Sequence, residues 1–320
     1  MQFDMINSTA GNPRQAFTDA LFEEAQKNPD IVVLTSDATG SAALAKISAA
    51  LPKQFVECGI AEQDMVGIAA GIANFGKRPF VCSPAAFLSA RALEQIKVDV
   101  AYSHQNVKLV GVSGGISYGA LGESHYSVQD FAIMRAIAGI TVLCPSDPVQ
   151  AAQLAHTLSH YDEPAYLRMG RGNIPIIYDE SDRFEIGKAY MCRNGYDVSI
   201  IAVGELVYPS LVAAEKLAEL GISARVLDMF TVKPLDREAI ISAAHETGAI
   251  VTAEEHCING GLGSAAAQLV CMSRPVPVES IALPNEVLLC GSPSEMKEKY
   301  GLSADNIVKA AIRAVRRKAK

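Results

Sequence analysis

Short apolar runs recur along this chain at intervals that leave room for one helix between each pair, and that alternation excludes most architectures. Ile31-Val32-Val33-Leu34, Gln54 to Glu57, Arg78 to Cys82, Asn106 to Val112, Ile140 to Leu143 and Ala165 to Arg168 read as strands. Helical segments precede and separate them at Pro13 to Lys27, Ala42 to Leu51, Ala61 to Asn74, Pro84 to Ala101, Val128 to Ala138 and Pro148 to His160. Apolar strands joined by helices require a parallel sheet covered on both faces. From Gly170 to Gly195 the pattern loosens around Pro175 and Gly187. It resumes with strands at Val198 to Val203, Ser223 to Leu227, Ala249 to Ala253 and Val276 to Ile281. Helices at Tyr208 to Glu219, Asp236 to His245, Gly263 to Met272 and from Ser303 accompany them. The expectation is two parallel or mixed-sheet α/β domains, 1–172 and 196–320, joined by a linker at 173–195, a count that suits 320 residues.

Composition narrows the function classes. Hydrophobic residues make up 49% of the chain and charged residues 20%, a globular balance. The formal net charge of −7 argues against nucleic acid or an anionic membrane as the main partner, and leaves small molecules and proteins. The basic tail Arg313, Arg316, Arg317, Lys318 and Lys320 closes a helix, where cations complement the dipole. Seven scattered cysteines without C-x-x-C spacing fit reduced thiols, Met1 to Pro13 lacks a signal pattern, and no apolar run reaches the ~18 residues of a membrane span. A cytoplasmic location is expected.

Several chemistries drop out at once. There is no Walker loop, no G-x-S-x-G elbow and no H-E-x-x-H. His156 and His160 stand at i,i+4 with no carboxylate on their own helix face, so no metal site is expected. Gly260-Gly261-Leu262-Gly263 lacks the G-x-G-x-x-G register and reads as close helix-on-sheet packing.

What remains lies where strands end. In open α/β sheets ligands bind at the carboxyl edge, and there the chain places Arg14, Ser41, Glu62, Phe87, Arg91, His125 and Arg168. Glu62 opens a Gly/Ala-rich helix after Cys58-Gly59-Ile60-Ala61. It reads either as a charge complementing the helix dipole or as a carboxyl that apolar flanks keep protonated. His125 closes a 13-residue stretch from Ser113 with four glycines and no regular element, a length that points to function. Together these groups supply an acid, an aromatic face, an imidazole and anion binders, a set suited to a phosphorylated, oxygen-rich substrate.

Gly59-Ile60-Ala61-Glu62-Gln63, Gly76-Lys77-Arg78-Pro79-Phe80, Phe87-Leu88-Ser89-Ala90-Arg91 and Glu94-Gln95-Ile96 resemble the pyrimidine-binding domain of transketolases. Ser124-His125, Arg135-Ala136-Ile137, Cys144-Pro145-Ser146-Asp147 and Pro164 to Arg168 follow in the family's order. Glu254-Glu255-His256 with Gly260 to Ser264 resembles the transketolase C-terminal domain. The resemblance implies thiamine diphosphate as cofactor, bound by Glu62, Phe87, Leu88 and Arg91. Glu62 would hydrogen-bond N1′ of the aminopyrimidine, Phe87 would stack on its ring and His125 would meet the donor ketose near its carbonyl. Arg14, Ser41 and Arg168 would bind the sugar phosphate.

Two departures shape the expectation. No Gly-Asp-Gly segment followed by an Asn pair is present, so the diphosphate and Mg²⁺ site would come from a separate N-terminal transketolase subunit in an α2β2 assembly. Transketolases generally carry Asp four residues before the loop His and another His twelve residues before it. Here those positions are Leu121 and Ser113. Losing such readers removes hydrogen bonds worth roughly 1–3 kcal/mol each, so an unusual ketose phosphate donor, branched or altered next to the carbonyl, is expected. The competing readings are the beta subunit of a 2-oxo acid dehydrogenase, half of a deoxyxylulose-phosphate synthase, and a non-catalytic partner-binding subunit. The Gly-rich loop ending in His125 and Arg168 as a phosphate binder favour transketolase over the first, and the intact Glu62, Phe87 and His125 weigh against the last.

Overall fold

A computed structural model describes residues 9–318; Met1 to Ser8, Ala319 and Lys320 lie outside the described residues, and with them part of the N-terminal and basic-tail readings. The chain opens with β1 (Ala10–Gly11) and α1 (Pro13–Lys27), whose start is fixed by Pro13 and by Asn12, which accepts from the Gln15 N–H. It continues through β2 (Ile31–Thr35), α2 (Ala45–Ala50), β3 (Phe55–Glu57), α3 (Glu62–Asn74), β4 (Arg78–Pro84), α4 (Ala85–Arg91) and α5 (Leu93–Gln95). A π turn (Ile96–Tyr102), β5 (Lys108–Val112), a 3₁₀ turn (Gly119–Leu121), α6 (Asp130–Ala136), β6 (Thr141–Leu143), α7 (Pro148–His160) and β7 (Ala165–Arg168) follow.

The helix expected over Pro84 to Ala101 is thus broken in two and ends in a wider turn. Leu88, Ala92, Ile96 and Val100 are all fully buried at a spacing of four. A 3.6-residue turn drifts about 40° at each such step, and the added residue of the π turn brings the stripe back onto one face. The Gly-rich loop carries one short 3₁₀ turn where no regular element is expected.

The second half contains β8 (Ile174–Pro175), β9 (Tyr190–Arg193), β10 (Val198–Ala202), a 3₁₀ turn (Gly204–Leu206), α8 (Val207–Glu219), β11 (Ala224–Asp228), β12 (Thr231–Lys233) and α9 (Arg237–Thr247). It closes with β13 (Ile250–Cys257), α10 (Leu262–Ser273), β14 (Val278–Leu283), α11 (Pro293–Lys299) and α12 (Ala304–Lys318). The first sheet has seven strands in the order β12-β6-β7-β5-β4-β2-β3, parallel except for β12, and the second has five in the order β14-β13-β10-β11-β9, parallel except for β9. The two halves share one apolar cluster, which includes Phe131 and Met134 of the first and Leu262 and Leu269 of the second.

The segment expected as a linker is built into both halves. Ile174 and Pro175 pair with Gly11 and Ala10, while Tyr190 to Arg193 forms the antiparallel edge of the second sheet. Asp147 caps α7 through the Gln150 N–H and accepts the Ile177 and Tyr178 N–H groups with its other oxygen. Asp228, at the end of β11, accepts from Gln150 Nε2 at 3.0 Å and Tyr178 OH at 2.6 Å.

Burial pushes the Asp228 carboxyl up from 3.8 to about 7, which the Tyr178 and Gln150 donors only partly oppose. A raised acid pKa gives stability that is complete below the unfolded value and is lost as pH rises through about 7. At pH 8 the buried charge therefore costs up to roughly 4 kcal/mol relative to the neutral acid. Asp228→Asn, which can keep both accepted bonds, is expected to unfold at higher denaturant than the native chain at pH 8 and to lose that advantage near pH 4. An advantage of equal size at both pH values would contradict this.

Candidate active site

The carboxyl ends of β2 and β4 face the N-terminus of α3. The chain turns from β3 into α3 through Gly59, which sits at φ +69, where only glycine is unstrained. That turn places Glu62 at the first position of α3, buried to 1% exposure. Its Oε2 receives Arg91 Nη1 at 2.6 Å, and its Oε1 lies 3.4 Å from Ser36 Oγ, which is bonded in turn to Ser83 Oγ at 2.7 Å. The carboxyl's polar surroundings are therefore a guanidinium and two hydroxyls, not only the apolar flanks expected, and the neighbouring Ile60 is 74% exposed.

From Arg91 the contacts run on in single file. Its guanidinium lies 4.6 Å over the Phe87 ring, Phe87 meets His125 edge to face at 5.1 Å, and His125 meets Tyr118 the same way at 5.2 Å. Ser124 Oγ holds His125 Nδ1 at 2.9 Å. Arg171 ends the series, 5.2 Å over the Tyr118 ring. Arg14 stands close by and donates to the Ser41 carbonyl, while Ser41 Oγ is bonded to Ala38 O. Burial first, then the charge of Arg171, pulls the Arg14 guanidinium below its ordinary value, and its Nε is buried without a hydrogen-bond partner. Two like charges thus stand side by side next to an unmet donor, an arrangement that a bound anion would relieve.

The structure thus brings together Glu62, Arg91, Phe87, His125, Arg14 and Ser41, and it leaves out Arg168. That side chain is buried at 5% exposure, pairs with Asp130 at 3.0 Å, donates to the Glu255 carbonyl at 2.6 Å and lies over the Phe131 ring. Its bonds tie β7 to α6 and β13. Arg171, three residues on and outside the strand, is the arginine that reaches the site. Leu88 faces the core with no exposure, on a flank of α4 next to the one that carries Phe87 and Arg91. Ser113 is fully buried with Oγ unmatched and φ +56, a strained position for a residue with a Cβ. Leu121 sits on the 3₁₀ turn at 53% exposure.

Tyr118 and Arg171 were not singled out by the sequence. Their signal is positional: Tyr118 lies between glycines of the loop, and Arg171 is flanked by Gly170 and Gly172 just past a strand end.

The other motifs resolve plainly. His156 Nδ1 and His160 Nε2 each meet a Glu24 oxygen, at 3.1 and 3.2 Å, so the carboxylate missing from their own helix comes from α1. Among the described residues no side-chain group is arranged to hold a metal ion. Glu254 fills the N-terminus of α10, accepting from Leu262 N and Gly263 N at 2.7 Å each, which leaves the Gly260 to Gly263 turn closed to a phosphate. Arg313 and Arg317 both pair with Glu279, and Lys318 donates to the Asp197 and Thr247 carbonyls, so these tail cations serve the helix packing. No helix among the described residues is long and apolar enough to cross a membrane.

This is an α/β chain whose strand edge combines a buried acid, an aromatic file and two neighbouring arginines. The transketolase pyrimidine-binding domain model matches residues 11–176 and the transketolase C-terminal domain model matches residues 187–307. The chain belongs to the transketolase family. It is 48% identical over 305 residues to an apulose-4-phosphate transketolase subunit of Phocaeicola vulgatus, covering 95% of this chain and 97% of that one. Identity to the 6-deoxy-6-sulfo-D-fructose transketolase subunit of Clostridium sp. strain MSTE9 is 41%, over 95% of each chain. A solved split-gene transketolase, described as an inactive β4 tetramer, superposes with a TM-score of 0.89 at 38% identity, covering 96% of this chain and 99% of its own.

Proposed function

We propose that this chain is the C-terminal subunit of a two-chain, cytoplasmic transketolase. It would transfer a two-carbon ketol unit from a ketose phosphate to an aldose phosphate only when joined to an N-terminal subunit. The file Glu62–Arg91–Phe87–His125–Tyr118–Arg171 carries the reading, because it sets an acid at one end and an anion cradle at the other. The full-length match to relatives described as subunits supports the two-chain form. Exposed apolar side chains, Ile60 just before α3, Ile68 on it, Phe75 at its C-terminal end and Tyr102 at the end of the π turn, support a partner docking beside Glu62. In this reading residues 1–172 form the pyrimidine-binding domain and 196–320 the C-terminal domain, which lends β12 back to the first sheet.

The residues present fit the pyrimidine half of thiamine diphosphate. Glu62 is a buried carboxyl at a strand edge, Phe87 offers a ring face, and Gly59, Gly67 and Gly71 have nothing within 4 Å of where a Cβ would lie, so a ring can approach the backbone. When bound, the cofactor supplies the carbanion chemistry for breaking and making the carbon–carbon bond, with its diphosphate and Mg²⁺ held by the partner. Glu62 would hold a proton at pyrimidine N1′, oriented by Arg91 and Ser36. Phe87 would stack on the ring, and His125 would bond the donor near its carbonyl. Arg14 and Arg171, with Ser41 fixing the former, would hold the sugar phosphate.

Leu121 and Ser113 fit a donor other than xylulose 5-phosphate, and a branched ketose such as apulose 4-phosphate is the first to test. Co-expression with a chain bearing the Gly-Asp-Gly segment, followed by ketol-transfer assays across ketose phosphates, tests the whole reading. The branched donor is expected to exceed xylulose 5-phosphate in kcat/KM, and Leu121→Asp to shift the ratio toward xylulose 5-phosphate by about tenfold. Ordinary efficiency with xylulose 5-phosphate and no gain in the variant would remove the substrate assignment.

A further inference from the structure

The Gly-rich loop that carries Tyr118 and His125 follows β5 and is pinched at its root, where Gly115 and Ser127 are joined by reciprocal N–H to carbonyl bonds of 3.0 and 2.9 Å. A carboxylate from the other half of the chain enters this root. Glu255 Oε1 accepts the Ile116 N–H at 2.8 Å across 139 residues of sequence. Gly115, at φ +62, lies so close that a Cβ there would overlap the Glu255 carboxylate, and Gly114 packs on Arg168 in the same way. The root of the loop is therefore shaped around the carboxylate.

Glu255 is itself held from three sides. Its Oε2 lies 3.4 Å from Lys297 Nζ on α11, Lys297 also pairs with Glu205, and the Glu255 carbonyl accepts Arg168 Nη2. Arg168 is fixed by Asp130, which receives Tyr166 OH at 2.7 Å on its other oxygen. Glu255, Arg168 and Asp130 are all buried. A buried charge paired this way costs a great deal to displace, so it has one position. The second half of the chain places no side chain in the contact file, yet it bonds the root of the loop that carries two of its rings.

We propose that Glu255 is a positioning residue. By holding the Ile116 N–H it fixes the loop so that His125 meets Phe87 and Tyr118 meets Arg171, which passes the geometry of the C-terminal domain to the donor-binding loop. The role rests on the transketolase reading only for its effect on catalysis; the effect on the loop stands apart from it.

The test compares Glu255→Gln, Glu255→Asp and Glu255→Ala in the full chain by amide hydrogen exchange, and in the two-chain enzyme by kinetics. Gln keeps an acceptor at the Oε1 position, whereas Asp keeps the charge but withdraws the acceptor by one carbon. Exchange across residues 114–127 is expected to stay within threefold of native in Gln and to rise at least tenfold in Asp and Ala. KM for the donor is expected to rise at least tenfold in the latter two, with a smaller change in kcat. Glu219→Gln, an exposed change at the end of α8 in the same half, leaves both readouts unmoved. If Ala fails to fold, the Asp and Gln pair decides. Loop exchange in Asp equal to that in Gln would overturn the proposal. Faster loop exchange in Asp, in a two-chain preparation where even the native protein transfers no ketol unit, would keep the proposal and sink the functional reading instead.

Discussion

Glu62→Gln is expected to lower ketol-transfer turnover of the two-chain enzyme by about 10²- to 10⁴-fold, the usual contribution of a positioned acid–base group. The amide matches the carboxyl in shape and can still accept from Arg91 or Ser36, so packing around the start of α3 survives. It cannot exchange a proton with a ring nitrogen. Arg91 is 44% exposed at its side chain, so releasing its ion pair leaves no buried charge behind, and the melting temperature should move little. Thiamine diphosphate is expected still to bind, since Phe87 and the open glycine face are untouched. Turnover within threefold of native would end the role assigned to Glu62.

The second large effect separates two arginines three residues apart. Arg168→Met removes one member of a buried pair and leaves Asp130, at 1% exposure, without its guanidinium. Breaking such a pair costs about 3–5 kcal/mol, which shows as a much lower unfolding midpoint and poor yield. Arg171→Ala touches no buried ion pair and is expected to leave the midpoint nearly unchanged. It should raise KM for a phosphorylated donor by about 10- to 100-fold, the value of a charged hydrogen bond or two. The opposite pattern, with Arg168→Met folded and weak in KM and Arg171→Ala neutral, would restore the assignment made from sequence.

That pair also shows where sequence reading stops. The fold was legible because α1, α7 and β7 are announced locally, by Pro at the first helical turn, by the caps Asn12 and Asp147, and by unbroken apolar runs. The Glu62 junction was legible because Gly59 marks the turn that delivers it. By contrast, β12 is a three-residue strand visible only through its pairing with β6, and α11 is a seven-residue helix following a stretch without periodicity. Arg168 and Arg171 could not be told apart because the choice depends on what covers the end of β7, and the cover is Glu255, 87 residues away. Glu24 against His156 and His160, and Glu255 against Ile116, are hidden for the same reason: each pairs groups from distant segments with no local pattern.

One titration bears most directly on the claim that this chain holds half of a shared site. The partner chain, thiamine diphosphate, Mg²⁺ and donor are held fixed while this chain is added and ketol transfer is followed. Turnover is expected to rise from zero to a plateau at one chain per partner, and the Glu62→Gln chain to reach the same binding stoichiometry without the turnover. Ketol transfer by this chain alone, or turnover that is indifferent to its addition, would contradict the account.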